Sequence, residues 1–231
     1  MHLNAFPDSQ SHATSPFSLV HSDLKELPVL SYHRYKFFIT FLDNFISYCW
    51  ISLLWKKSDV SDAIDSFLSL VKNQYQSTVE EFMTDASSEY KSLELRDKLR
   101  KQGITIRTSI PHMHQQNGHA EHLNRTLIEK EQALHFTACL PWNWWEFCVE
   151  YMVHVYNQTP MHRHNWQTLF EVLKRDKPNV SHLRVMGCGA YIFILEEVCV
   201  NKLTPRAKLM TFLAYTKEDL ARHFPLDTTL T

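Results

Sequence analysis

Three carboxylates stand where chemistry could be done. Glu121 falls within Pro-His-Met-His-Gln-Gln-Asn-Gly-His-Ala-Glu-His-Leu-Asn-Arg-Thr, residues 111–126, on the first turn of an expected helix just after a polar, glycine-containing loop. Asp85 lies 36 positions earlier in Phe-Met-Thr-Asp, and Asp23 stands in Leu-Val-His-Ser-Asp-Leu, each at the end of a strand-like run. Hard oxygen donors of this kind suit Mg²⁺ or Mn²⁺, and three of them from separate elements can hold two such ions about 3.5 to 4 Å apart. The chemistry would then be in-line phosphoryl transfer. Spacing alone is a weak guide, because the chain carries 25 acids.

The elements that must position these acids can be read in order. Phe17 to Val20 leads into Asp23 as a short strand, and Tyr35 to Leu42 is a second, rich in aromatic and β-branched residues. Asp43-Asn44 suits a two-residue hairpin turn into a third strand, Phe45 to Trp55, which makes Asp43 a turn residue rather than a metal ligand. Ser58 is expected to cap a helix in which Val60, Ile64, Phe67, Leu68, Val71 and Tyr75 share one face. Thr78 to Thr84 is the fourth strand, residues 88–102 a polar helix closed by Gly103, and Ile104 to Ile110 the fifth strand.

Ala120, Leu123, Leu127, Leu134 and Ala138 then form the interior stripe of a helix that carries Glu121 and Arg125 on a flank. Pro141 opens a further helix with Trp145, Val149, Met152 and Tyr156 on one face; Trp142, Trp144 and Trp145 are expected to dock helices rather than stack on bases. Ala190 to Leu195 and Leu209 to Tyr215 read as two strands. The domain division expected is an N-terminal disordered arm over 1–16, a core over 17–160, a helical connection over 161–183 and a β appendage over 184–231.

Composition narrows the classes. With 44% hydrophobic residues in 231, one sizeable core is expected. Five cysteines without a Cys-x-x-Cys pair favour reduced thiols and an intracellular setting, nucleus or cytoplasm. The longest apolar run, Ile46 to Trp55, is too short to span a bilayer. A net charge of −1 argues against broad contact with a phosphate backbone, but Arg96, Lys98, Arg100, Lys101 and Arg107 cluster against the single acid Asp97. Structural zinc is not expected: Cys139 and Cys148 are nine apart, wider than usual thiolate pairs, although His112, His114, His119 and His122 are dense.

Several stretches together resemble the integrase catalytic core of Ty1/copia-type retrotransposons. They are His21-Ser22-Asp23-Leu24, Phe41-Leu42-Asp43-Asn44-Phe45, Thr84-Asp85 with Glu89-Tyr90, and Gln115-Gln116-Asn117-Gly118-His119-Ala120-Glu121 with Asn124-Arg125-Thr126-Leu127. Tyr156-Asn157-Gln158-Thr159-Pro160, Ser181-His182-Leu183-Arg184-Val185 with Gly187-Cys188, and Phe212-Leu213-Ala214-Tyr215 complete the set. The resemblance implies an α/β fold: a ribonuclease H-like mixed five-stranded sheet flanked by helices, with a short C-terminal SH3-like β appendage.

It further implies that Asp23, Asp85 and Glu121 are the catalytic and metal-holding acids for Mg²⁺ or Mn²⁺. The implied reaction is 3′-end trimming and joining of element DNA to target DNA, with a homo-oligomer positioning two ends. Lys98, Arg100, Lys101, Gln115, Gln116, Asn117 and Arg125 are the candidate nucleic-acid contacts, with DNA the first partner and RNA a second candidate.

Departures from the family pattern keep other readings open. Ala86-Ser87-Ser88 stand where the family has Asn-Gly-Gly, His122 where it has a basic residue, and His112-Met113-His114 where it has Tyr-Thr-Pro. A catalytically inactive nucleic-acid-binding remnant and a pure interaction module are the alternatives.

Overall fold

The computed structural model describes residues 13–84, 93–108, 118–195, 205–215 and 221–225, with the side chains of 93–94, 118–121 and 221–225 left aside. Its first sheet contains β1 (Leu19–Glu26), β2 (Phe37–Asp43), β3 (Cys49–Leu54), β4 (Glu81–Thr84) and β5 (Thr105–Thr108) in the order β3-β2-β1-β4-β5. β1, β2 and β3 form an antiparallel meander, whereas β4 runs parallel to β1 and β5 parallel to β4. This is the expected mixed five-stranded sheet. The parallel partners are separated in sequence by α1 (Val60–Tyr75) and α2 (Leu93–Lys101), because a parallel return needs a crossover.

β2 explains how the layers are built. Every residue from Phe37 to Asp43 is buried, so alternate side chains feed two different cores. Phe37, Ile39 and Phe41 pack with Val60, Ile64, Phe67 and Val71 of α1 and with Leu95 and Leu99 of α2. Phe38 and Leu42 face the opposite layer of α3 (Gly118–Ala138) and α4 (Trp145–Asn157), which supply Leu123, Leu127, Trp145, Val149, Met152 and Val153. Of the apolar stripes read from both helices, Leu123, Leu127, Trp145, Val149 and Met152 are buried and Leu134, Ala138 and Tyr156 partly so; Trp145 belongs to this core at 2% exposure.

The structure corrects the sequence reading at several ends. The β2–β3 connection is not a two-residue turn: it runs from Asn44 to Tyr48, organised by the Asp43 carboxylate, which accepts from the amides of Phe17 and Ile46 at 2.6 Å each. Burial pushes that carboxyl above its usual range, although the backbone donors pull the other way. Asp43 is thus a loop organiser. Nor does Ser58 cap α1, since the chain enters through a 3-10 turn, Lys57–Asp59, in which the Asp59 carboxylate accepts from the Lys56 amide.

Beyond α4 the chain forms α5 (Leu169–Lys174), capped by Thr168 through its reciprocal contacts with Glu171. A second antiparallel sheet of β6 (Gly189–Phe193), β7 (Ala207–Tyr215) and β8 (Ala221–Pro225) follows, ordered β6-β7-β8. β8 lies beyond the two strands that the sequence predicts in this region. This sheet docks on α4 through Leu213 and Ala214, which pack with Met186, ahead of β6, against Phe147 and Cys148.

Close approach at the docking point requires Gly187. It sits at φ +84°, and a Cβ there would lie 2.4 Å from the Cβ of Ala138. We expect Gly187→Ala to cost about 2 to 4 kcal/mol through left-handed strain plus overpacking, read as a lowered urea midpoint. No helix among the described residues is long and apolar enough to cross a membrane.

Candidate active site

Asp23 does not terminate its strand, as the sequence suggested; β1 continues to Glu26 and places Asp23 opposite Thr40 of β2. The alternation that sends Val20 and Leu24 to the α1 side sends Asp23 to the α3 side. It is 3% exposed. A buried carboxylate requires partners, and Asn124 Nδ2 donates to its Oδ2 at 2.8 Å while Lys25 Nζ lies 3.0 Å from the same oxygen. Neither contact uses Oδ1.

Asn124, which stands in the Asn-Arg-Thr-Leu motif with no role assigned to it from sequence, is the residue that links these elements. Fully buried, it accepts from Thr40 Oγ1 at 3.0 Å while donating to Asp23, so one amide joins α3, β1 and β2. Its position three residues after Glu121 was the available signal, because residues at i and i+3 of a helix are neighbours. Asn124 thereby brings the first turns of α3, where Glu121 stands, to the Asp23 carboxylate.

The remaining acids are placed only by their neighbours. Asp85 lies outside the described residues, but Thr84 before it is the parallel partner of Ser22, which precedes Asp23. Glu121 belongs to α3, and its side chain is outside those described.

The candidate nucleic-acid contacts divide. Arg100, Lys101 and Arg125 are exposed. Lys98 instead forms an ion pair with Asp65 and reaches Ser61, tying α2 to α1. Arg107 pairs with Glu81 at 2.7 Å. Arg96 and Arg100 line an open cavity of about 550 Å³ with Asp97 and residues 103–106. Gln115, Gln116 and Asn117 lie outside the described residues.

Asn124→Ala would leave Thr40 and Asp23 short of a buried partner and release the acid from its orientation. We expect about 1 to 3 kcal/mol less stability and a tenfold to hundredfold loss of any metal-dependent activity, checked by urea titration beside a DNA-joining assay.

Residues 13–114 match the family model of the integrase core domain. Over 215 residues, 93% of this chain, the sequence is 31% identical to the Pol polyprotein of transposon RE2 from Arabidopsis thaliana. The chain belongs to the integrase core family. Its relatives are of the Ty1/copia type: the Pol polyprotein of transposon TNT 1-94 from Nicotiana tabacum is 27% identical across 94% of the chain. The Ty1-NL2 Gag-Pol polyprotein of Saccharomyces cerevisiae is 29% identical across 67%.

The integrase core chain spans only 15% of the RE2 polyprotein's length and 16% of the TNT 1-94 polyprotein's. Among solved structures it is similar to the HTLV-2 integrase catalytic core domain in complex with magnesium, with a TM-score of 0.51 and 16% identity. That match covers 68% of this chain and 97% of the other. A chain of the simian T-cell lymphotropic virus intasome in complex with PP2A regulatory subunit B56 gamma matches with a TM-score of 0.53 and 14% identity, over 92% and 77%. The ribonuclease H-like fold of this integrase core is thereby established, from the sheet order and these neighbours together.

Proposed function

We propose that this integrase core performs divalent-metal-dependent phosphoryl transfer on DNA, trimming 3′ ends and joining element DNA to target DNA, with Asp23, Asp85 and Glu121 as its metal-holding acids. The observation that carries this reading is the buried Asp23 carboxylate joined through Asn124 to the helix of Glu121. An oxygen-only donor set suits Mg²⁺ or Mn²⁺. Bound there, the metal would activate the attacking oxygen and stabilise the leaving oxygen of a phosphodiester; with water as the attacking group the outcome is endonuclease cleavage.

The chain's own residues set up that chemistry. Thr40 and Asn124 fix the orientation of Asp23, and the ammonium of Lys25 offsets its charge. Arg100, Lys101 and Arg125 are free to meet a phosphate backbone, whereas Lys98 is engaged by Asp65. We assign the β6–β8 sheet to part of an SH3-like domain, and we place the protein in an oligomer that holds two DNA ends in the nucleus. The intasome likeness supports that assembly. RNA is a further partner that the same basic residues could bind.

One observation favours a second reading, an inactive nucleic-acid-binding remnant: Ala86-Ser87-Ser88 directly follow Asp85 in place of the family's Asn-Gly-Gly. A disintegration and nicking assay on branched DNA with Mn²⁺ or Mg²⁺, run beside Asp85→Asn, separates the two. Product that requires both the metal and Asp85 supports catalysis. Folded protein that retains DNA and yields none supports the remnant.

A further inference from the structure

Glu131 and His135 stand one turn apart on α3, and Cys148 lies in the first turn of α4. All three are buried, at 4%, 3% and 0% exposure. Their ligand atoms converge: Glu131 Oε1 lies 2.8 Å from His135 Nε2, Cys148 Sγ lies 3.5 Å from the same nitrogen, and all three atoms fall within 4.8 Å of one another.

A carboxylate oxygen, an imidazole nitrogen and a sulfur that converge away from water make up a donor set of the kind that holds a transition-metal ion. We propose that Glu131, His135 and Cys148 hold Zn²⁺. Around a tetrahedral zinc the edges between such donors are about 3.3 to 3.8 Å, so the Glu131 carboxylate has to move about half an ångström away from His135 Nε2 and take up an edge of that length to Cys148 Sγ, from which it now lies within 4.8 Å.

The surroundings have the features of a ligand site. His135 Nδ1 faces the carbonyl oxygen of Leu140 at 3.3 Å, and a proton shared there leaves Nε2 as the ligating nitrogen, the arrangement that orients metal-bound imidazoles. The Trp142 ring stacks on His135 with centroids 5.0 Å apart, roofing the cluster from solvent. Thiolate and imidazole together select zinc over Mg²⁺ or Ca²⁺, which separates this site from the oxygen-only acids near Asp23. Glu131 lies seven residues beyond Asn124, about 10 Å along α3.

Binding takes the thiol proton of Cys148 and any proton on Nε2 to solvent, and the carboxylate enters ionised. The site would fasten α3, which carries Glu121 and Asn124, to α4. Cys139 is exposed and plays no part in the cluster. The sequence pointed away from zinc because it offered only the Cys139–Cys148 spacing, whereas the ligands come from two helices.

Co²⁺ added to the metal-free full chain is the direct probe. We expect one equivalent to give a thiolate-to-cobalt charge-transfer band with the visible bands of tetrahedral Co²⁺. Zn²⁺ should abolish both and raise the melting temperature, whereas Mg²⁺ should do neither. Cys148→Ser should remove the charge-transfer band, Glu131→Gln should weaken cobalt binding by about a hundredfold or more, and Cys139→Ser should change nothing. Folded wild-type protein without the band overturns the proposal. So does a band that survives Cys148→Ser. If Cys148→Ser does not fold, the wild-type titration and Glu131→Gln decide, and a cobalt affinity unchanged in Glu131→Gln also overturns it.

Discussion

Asp23→Asn should remove metal-dependent DNA joining and nicking, a loss of at least about 10³-fold, while the protein stays folded. The substitution keeps the size of the side chain and an oxygen that can still accept from Asn124, so the link to α3 survives. What disappears is the charge that a divalent ion requires. Lys25 loses its partner, but its side chain is a third exposed and can turn to water, so stability should change by no more than about 1 kcal/mol. Strand-transfer gels beside thermal melts would show both effects. Undiminished turnover in the Asn variant would remove Asp23 from the metal site.

The largest loss of stability is expected from Phe41→Ala. Phe41 is fully buried in the core beneath α1, stacked on Phe67 with ring centroids 4.4 Å apart at 6°, and edge-on to Phe82 at 6.3 Å. Truncation opens a cavity that β2, hydrogen-bonded on both sides, cannot collapse to fill. The cost should be about 3 to 5 kcal/mol, a large part of the roughly 5 to 15 kcal/mol typical of a domain. Urea unfolding should show a lower midpoint at an unchanged slope. Phe136→Ala, at a position 75% exposed, should stay within about 0.5 kcal/mol.

Periodicity made most of the fold legible. Most described members of the helical stripes of α1, α3 and α4, and the aromatic run of β2, are buried or packed against the buried sets, as their spacing implied. Local ends were less readable, because tertiary partners decide them: the Asp43 carboxylate draws the Phe17 amide across 26 positions and sets a longer loop. β8 carries His and Arg within five residues, a pattern that does not alternate as a strand should. At the candidate site the acids and Asn124 stand in family motifs, whereas the part that Asn124, Thr40 and Lys25 play around Asp23 is not legible there. The i, i+3 spacing sets Asn124 beside Glu121 but does not show which strands its amide joins, and a cluster assembled from two helices, such as Glu131, His135 and Cys148, is not contained in any one segment.

The sheet order has a further consequence, in time. β1, β2 and β3 pair with their immediate neighbours in sequence and can form as a meander early, at little cost in loop closure. Asp23 is part of that first unit, yet the amide that orients it arrives 101 residues later, with α3. During synthesis the acid therefore spends the interval on the face of an incomplete sheet, beside its own Lys25. Nascent chains that stop short of α3 contain the first acid and the whole meander but lack the amide that orients that acid, so the site stays incomplete until α3 has been made.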